Sequence, residues 1–550
     1  MMEPHELSKG KAEDGESARA ENGNTRASLP PVDDAVLHLT DPPPSEVTSG
    51  RLLRSTLVNG IAHSSGALVT AILTPFLLHR LGAEQYAIWL LALGMTFSNG
   101  YLALADLGLP EAAVKFIAEA RALGSPRTVN RIASTTTAFF AGLGVVAGAV
   151  IALVAPLLVR IFDVDATYSD AARMVFVLMA LEVVVGLPTA GFLAVIEGAQ
   201  RYPLLRSIDV GGRVLWAVLV VVAVLQGHGV VALATTSLAI AVAKAVGAYS
   251  LAHLSQPGLR LRPRFVDRAT FRKTLSYGSF VGGLRALSVI YSQMDRAIIG
   301  IAIAVAAVAN YEVAFRIQSI ATLTLVMASS AVLPAAAYNA VRGDSDKQRE
   351  LYLRGSKYAV ALVVPVSLAV LLYAPLLIDT WVGSRYSPMA GPTRLFLIVP
   401  LFTCLNQVGV AMLIGLGSVK RVVALQVVNV GLNLALSIAL APHLGVAGVV
   451  LGTLIGNAVV WLPYVRLLLR TFEVDVRSWL RRIVAPNVPG AVVQVALGVA
   501  TLRLVSNVDQ LWQVLSLCAA SALVNVLLFV RLGLEAGERR HLIDRFVAGR

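Results

Sequence analysis

The stretch LRALSVIYSQMDRAIIG, residues 284–300, brings Arg285, Ser288, Ser292, Asp295 and Arg296 to one side of a helix at 100° per residue, with leucine, isoleucine and alanine filling the rest. The next apolar stretch opens YEVAFRIQS, residues 311–319, where Glu312 and Arg316 stand four apart and can pair, and Ser319 continues their stripe. Near residue 60 the design returns in neutral form, with Asn59, His63, Gly66, Thr70 and Thr74 along one face. Guanidinium forks suit paired anionic oxygens. Ionisable groups within such apolar sequence cost a few kcal/mol, which makes each a candidate for function with a partner to be found. The bland readings stand beside these. Asp295 and Arg296 can neutralise charge locally, Arg316 can be satisfied by Glu312, and a lone histidine such as His63 often serves a helix–helix hydrogen bond. Arg285 has no obvious partner within its own helix.

Two further charges sit in apolar runs: Glu182 in VLMALEVVVGLPTAG, residues 177–191, and Lys244 in AIAVAKAVGAY, residues 239–249. They can neutralise each other, or Glu182 can carry a proton and couple transport to an ion gradient. Asp106, Glu111 and Lys115 fall where a span ends in ADLGLPEAAVK, and Pro110 starts or breaks a helix there; the expectation is an amphipathic cytoplasmic continuation, with gating as the lesser alternative. Asp163, Asp165 and Asp170 lack the glycine and terminal glutamate of a calcium loop and read as a solvated outer loop, so no metal site is expected.

The elements that must hold these residues are membrane helices. The chain is 56% hydrophobic and only 14% charged, with mean hydropathy +0.72, where soluble domains carry about 25% charge. About fourteen runs between Leu57 and Val530 are long enough to cross a hydrocarbon core about 30 Å thick. Residues 1–53 are polar, acidic and proline-rich, and read as a disordered cytoplasmic tail without a cleaved signal peptide. Cys404 and Cys518 lie within apolar helices and behave as small hydrophobes, with neither a disulfide frame nor a CxxC site.

The net charge of +13 is distributed by connection. With a cytoplasmic start, even connections such as RLRPRFVDRATFRK (260–273) and VRGDSDKQRELYLRGSK (341–357) are basic, and odd ones such as QGHG (226–229) are not. The tally is about thirty basic residues against about six, as positive-inside insertion produces. Both termini are therefore expected in the cytoplasm. Arginines spread over short loops suit an anionic leaflet rather than nucleic acid.

LVAPLLVRIF (153–162) returns as LYAPLLIDTW (372–381), and Tyr86, Pro110, Pro156, Gly198 and Gly229 recur as Tyr311, Pro334, Pro375, Gly415 and Gly445. The offset is about 216 to 225 residues, the mark of a duplicated bundle whose two copies insert in parallel. The expected fold is all-α and polytopic: an N-lobe of six helices (54–256), a cytoplasmic interlobe loop (257–274), a C-lobe of six helices (275–471), and a last helix pair with a basic tail (472–550).

TPFLLHRLGAEQYAIWLLAL (74–93), LADLGLPEAAVKFIAEA (104–120), IEGAQRY (196–202), VLPAAAYNAVRGD (332–344) and PHLGVAGVVLGTLIGNAV (442–459) form an ordered set. That set resembles the bacterial polysaccharide flippases of the MATE-like multidrug/oligosaccharidyl-lipid/polysaccharide superfamily. The resemblance covers nearly the whole chain after residue 54. It implies two six-helix lobes around a central cavity lined by the first, second, seventh and eighth helices, and a passenger linked to undecaprenyl diphosphate, moved across the bacterial inner membrane by alternating access. On that reading Arg285, Arg296 and Arg316 hold diphosphate, while His63, Asn59 and Thr70 contact sugar; Ser288, Ser292, Asp295 and Glu312 complete the binding set, and Glu182 with Lys244 is the coupling candidate. The partners it implies are the lipid-linked oligosaccharide, membrane lipids and the polysaccharide polymerase or export machinery, with no cofactor and no nucleic acid.

No Walker A sequence is present, so ATP hydrolysis by this chain is not expected. A membrane glycosyltransferase or polymerase needs catalytic residues in a sizeable outward loop, and outward loops here run about 4 to 15 residues without paired carboxylates. The chain therefore reads as a non-enzyme. A cation-coupled drug exporter of the same superfamily calls for an acidic, aromatic cavity, and the seventh and eighth spans lean basic. A non-transporting scaffold is the third alternative.

Overall fold

The computed structural model describes residues 49–96, 100–330, 345–504, 508–535 and 537–539; side chains are described from Gly66 onward, except those of residues 67, 280–281, 284 and 327–330. Residues 1–48 of the expected N-terminal tail, the repeat landmark Pro334, the 332–344 motif, the basic tail beyond 539 and the side chains of Asn59 and His63 lie outside the described residues, while residues 49–53, expected in the disordered tail, are helical. Among those residues every regular element is helical.

Among the described residues fifteen α-helices of ten residues or more carry the fold: α1 (Ser49–Leu93), α2 (Leu109–Ala122), α3 (Pro126–Ile161), α4 (Ser169–Gly186), α5 (Thr189–Gly198), α6 (Tyr202–Leu225), α7 (Val230–Ser255), α8 (Arg268–Ala302), α9 (Val305–Ser330), α10 (Ser345–Trp381), α11 (Ala390–Gly415), α12 (Val419–Leu444), α13 (Val446–Thr471), α14 (Val488–Leu504) and α15 (Leu511–Leu528). Among the described residues nine helices are long and apolar enough to cross a membrane, ten when α4 and α5, bent by 41°, count as one span. α8 and α9 are long but fall outside that count, and they carry the in-span charges of residues 285–316.

The punctuation follows local chemistry. α1 is two helices merged across Gly82, whose φ of 79° takes the left-handed conformation that glycine adopts freely. Prolines open α2, α3 and α6, where a missing N–H costs nothing. Asp267 caps α8 by accepting from the Ala269 and Thr270 amides. The landmarks of the repeat take matching places: Pro156 and Pro375 lie inside α3 and α10, Gly198 and Gly415 end α5 and α11, and Gly229 and Gly445 precede α7 and α13.

The second apolar run is not one helix. After Leu93 the chain leaves helical geometry, makes a short 3-10 turn at Tyr101–Ala105, passes Leu107 at positive φ, and resumes as α2. Such a break within a span is tolerated where protein or a cavity satisfies the freed backbone. Here Tyr101 donates to the Gln293 carbonyl of α8 at 2.9 Å, and the Gly108 amide donates to Asp106 Oδ1 at 2.7 Å.

The described residues from Ser55 onward form one compact unit. α2–α7 pack among themselves and α9–α13 among themselves, while α8 touches α2 and α3 on one side and α9 and α12 on the other. One large apolar core joins the two sets, from Leu77, Tyr86 and Trp89 through Ile299, Tyr311, Tyr373 and Phe396. Among the exposed residues of α6 are Val214, Leu215, Val218, Val222 and Leu225, which suits contact with lipid.

Candidate functional site

A cavity of about 1090 Å³ lies where α1, α2 and α4–α7 face α8 and α9. Of the residues the sequence singles out, Thr70, Arg285, Ser292, Asp295 and Arg316 line it, and so do Glu182 and Lys244. Ser288, Arg296 and Glu312 do not.

The stripe on α8 divides because its members meet different partners. Arg285 Nη1 lies 2.8 Å from Glu111 Oε1 and 3.0 Å from Asp106 Oδ2, both across the cavity wall in and before α2. Its partners come from a segment about 175 residues away in sequence, so nothing on its own helix could reveal them. Asp106 is fully enclosed and Glu111 borders the cavity.

Asp295 and Arg296 are neighbours that do not pair. Arg296 turns to Glu312, with Nε at 3.0 Å and Nη2 at 2.9 Å, and also donates to the Ser292 carbonyl and Gln293 Oε1 while lying over the Phe315 ring. Arg316 meets the other oxygen of Glu312 at 2.6 Å and donates to Thr70 Oγ1 at 3.1 Å, which ties α9 to α1. One enclosed carboxylate thus serves two guanidiniums.

Asp295 Oδ2 accepts from the Tyr311 hydroxyl at 2.9 Å and from Thr453 Oγ1 at 3.3 Å, while Oδ1 has no hydrogen-bond partner among the described residues. The network continues inward. Asn433 donates to Thr453, Ser437 to Asn433, Asn429 to Asn457, and Asn457 to the Tyr291 hydroxyl at 2.8 Å. The spacing of Asn429, Asn433 and Ser437 is a stripe at helical period that the sequence displays and that reasoning from charges alone passes over.

On the opposite wall, Lys244 forms its ion pair with Asp209 of α6 at 4.0 Å. No ion pair among the described residues joins Lys244 to Glu182, and Glu182 Oε2 is buried without a hydrogen-bond partner there. Glu197, Asp209 and Arg213 complete the charged lining on this side. With Glu111, Glu182 and Asp295 the carboxylates number five, against Arg213, Lys244, Arg285 and Arg316, so the cavity as a whole carries both signs where α8 and α9 by themselves lean basic. Trp216 stacks on Trp89 with ring centres 5.9 Å apart and donates to Ser237 Oγ at 2.9 Å; all three line the cavity.

Away from the cavity, Asp165 caps a short turn by accepting from the Thr167 amide, and Asp170 lies 3.8 Å from Arg173. Among the described residues no group of three or more histidine, cysteine or acidic side chains could hold a metal ion.

The fold is that of a polytopic all-α membrane protein. A multidrug resistance MATE transporter of the MOP superfamily, in an inward-facing conformation, superposes with a TM-score of 0.59 at 17% identity, covering 75% of this chain and 94% of that one. The lipid II flippase MurJ, in an inward closed conformation, gives a TM-score of 0.70 at 11% identity, covering 86% of this chain and 99% of that one. A MOP superfamily transporter from Pyrococcus furiosus, whose binding pocket is described as reversed in polarity, gives 0.54 at 18% identity, with 76% and 95% covered. A family model described as polysaccharide biosynthesis protein matches residues 122–391. The solved structures show a shared fold, and the family model adds a likeness over just under half of the chain. No curated protein matches the sequence.

Proposed function

We propose that this chain is a flippase that moves a lipid-linked oligosaccharide, joined to its lipid through a diphosphate, across the bacterial inner membrane by alternating access. The observation that carries the reading is the cavity itself: about 1090 Å³ between two sets of helices, with guanidinium groups at Arg213, Arg285 and Arg316 on facing walls. Forked donors on opposite sides can grip a diphosphate whose charges cannot cross hydrocarbon unaided. Thr70, Ser292, Ser319 and Thr322 offer hydroxyl partners for sugar, and Trp216 adds an aromatic surface. Arg296 takes a supporting part, holding Glu312 and through it Arg316.

Both termini lie in the cytoplasm in this proposal, since the basic connections fall on one side of the helix order. Glu182 and the Lys244–Asp209 pair are the coupling candidates, being ionisable groups on the cavity wall.

A cation-coupled drug exporter is the second reading, and the five carboxylates with Trp89, Trp216, Tyr291, Tyr311 and Phe315 in the lining favour it. Reconstitution separates the two. Purified protein in liposomes is expected to deliver undecaprenyl-diphosphate-linked oligosaccharide to the opposite leaflet and to leave lipophilic cations such as ethidium behind. Ethidium export without lipid translocation would reverse the assignment.

A further inference from the structure

Arg285 stands where three observations meet. Its guanidinium joins Asp106, at the end of the interrupted segment, to Glu111 in the first turn of α2. Beside that bridge the two backbones touch: a Cβ on Gly108 would fall 2.1 Å from the Gly278 carbonyl oxygen, and one on Gly282 would fall 2.4 Å from the Leu107 carbonyl carbon. Further along α2, the Lys115 ammonium lies 4.0 Å from the Tyr277 ring centre and Phe116 meets the same ring at 5.7 Å. α2 and α8 are therefore closed along a seam, and the ionic tie across it, formed by Arg285 and Glu111, faces the cavity.

A carboxylate and a phosphate compete for the same fork of donors, and a diphosphate brings more charge and more oxygens to it. The exchange takes the cation away from the enclosed Asp106 Oδ2, a cost that the diphosphate–Arg285 contact must offset. Asp106 Oδ1 keeps the Gly108 amide, and the Glu111 side chain is 41% exposed and can be hydrated. Resting on the flippase reading above, we propose that Asp106 and Glu111 are positioning residues: they hold Arg285 until the diphosphate of the lipid-linked substrate displaces them, and that exchange releases α2 from α8. Substrate binding then spends part of its free energy on opening the seam, so a weaker tie raises apparent affinity.

The test uses the full chain in phosphatidylcholine nanodiscs, carrying Cys404→Ala, Cys518→Ala, Lys115→Cys and Tyr277→Cys, with a short bifunctional thiol reagent across the seam. Cross-linking is expected to be efficient in the empty protein and to fall as undecaprenyl diphosphate is added, with undecaprenol leaving it unchanged. Glu111→Gln should lower the half-effective concentration of undecaprenyl diphosphate by roughly three- to tenfold, a direction that mere loss of structure would not give, and Arg285→Gln should remove the response. A monodisperse protein whose cross-linking ignores undecaprenyl diphosphate overturns the proposal. So does an equal fall with phosphatidylglycerol, a Glu111→Gln variant that needs as much ligand or more, or the absence of any cross-link in the empty protein. Translocation by the unmodified chain is scored separately: a responding seam without translocation removes the flippase reading and keeps the exchange, whereas translocation with a seam that does not respond removes the exchange.

Discussion

Arg296 and Glu312 lie 16 residues apart on successive helices, and the guanidinium reaches the carboxylate through Nε at 3.0 Å and Nη2 at 2.9 Å. The same fully enclosed carboxylate meets Arg316 at 2.6 Å, so two cations share one anion. Removing one partner of a buried ion pair costs about 3–5 kcal/mol because the other charge is stranded. Glu312→Ala is expected to lose at least that much, seen as a sharp drop in the detergent melting temperature. The double variant Glu312→Met with Arg296→Met should recover part of the loss, since apolar packing replaces a solvation penalty. A double variant less stable than Glu312→Ala would show that the pair contributes through its charge rather than by satisfying it.

The last two helices are pinned by amides. Gln494 of α14 donates to the Pro365 carbonyl of α10 at 2.8 Å, and Asn525 of α15 donates to Gln494 Oε1 at 2.6 Å, with both side chains enclosed. Asn525→Leu should destabilise by about 1–3 kcal/mol, because Gln494 is left with an unmet acceptor in an apolar setting. Thermal unfolding in detergent reads it, and an unchanged midpoint would mean the pair holds nothing.

How much of this was legible in the sequence differs from residue to residue. Helical class and membrane residence follow from apolar run length, and Gly198 and Gly415, like Gly229 and Gly445, take matching helix ends. The Glu312–Arg316 pair was readable because four-residue spacing fixes it locally. Arg285 was readable as a charge needing an explanation, but its partners were not, since a short 3-10 turn at Tyr101–Ala105 has no helical periodicity from which to place Asp106. Asp295 and Arg296 share a stripe yet part company, because 100° between neighbours is enough to give Asp295 to Tyr311 of α9 and Thr453 of α13 and Arg296 to Glu312 of α9. Periodicity tells which residues share a face and leaves open what lies opposite.

Asp267, ahead of α8 and outside the spans, accepts from the Thr270 hydroxyl at 2.6 Å and the Thr270 amide at 2.9 Å. Those bonds, the hydroxyl first, hold its carboxyl below the usual carboxylate range. A depressed folded value means that its contribution is complete above the unfolded value of about 4 and fades as pH falls through the folded one. Asp267→Ala should therefore exchange amide hydrogens faster than wild type in the first turn of α8 at pH 7. The gap should close at lower pH, once wild-type Asp267 is itself protonated. A gap that persists through acid would assign the difference to something other than the ionised cap.

Gly282 and Gly283 are neighbours on α8 in opposite circumstances. A Cβ on Gly282 would fall 2.4 Å from the Leu107 carbonyl carbon, backbone that cannot swing aside, whereas one on Gly283 meets nothing within 4 Å. Alanine gains about 0.5–1 kcal/mol over glycine in a helix interior, and forcing bulk into a filled contact costs typically about 1–3 kcal/mol. Gly283→Ala should raise the detergent melting temperature or leave it unchanged, and Gly282→Ala should lower it, because the contact cost exceeds the helical gain. The same Gly282→Ala change should also make Lys115→Cys more reactive to a water-soluble maleimide, since α2 must move off α8 to admit the methyl group, while Gly283→Ala leaves that reactivity where it was. Equal effects from the two adjacent positions would mean that α8 and α2 do not approach this closely and that the seam holding Arg285 is looser than its glycines indicate.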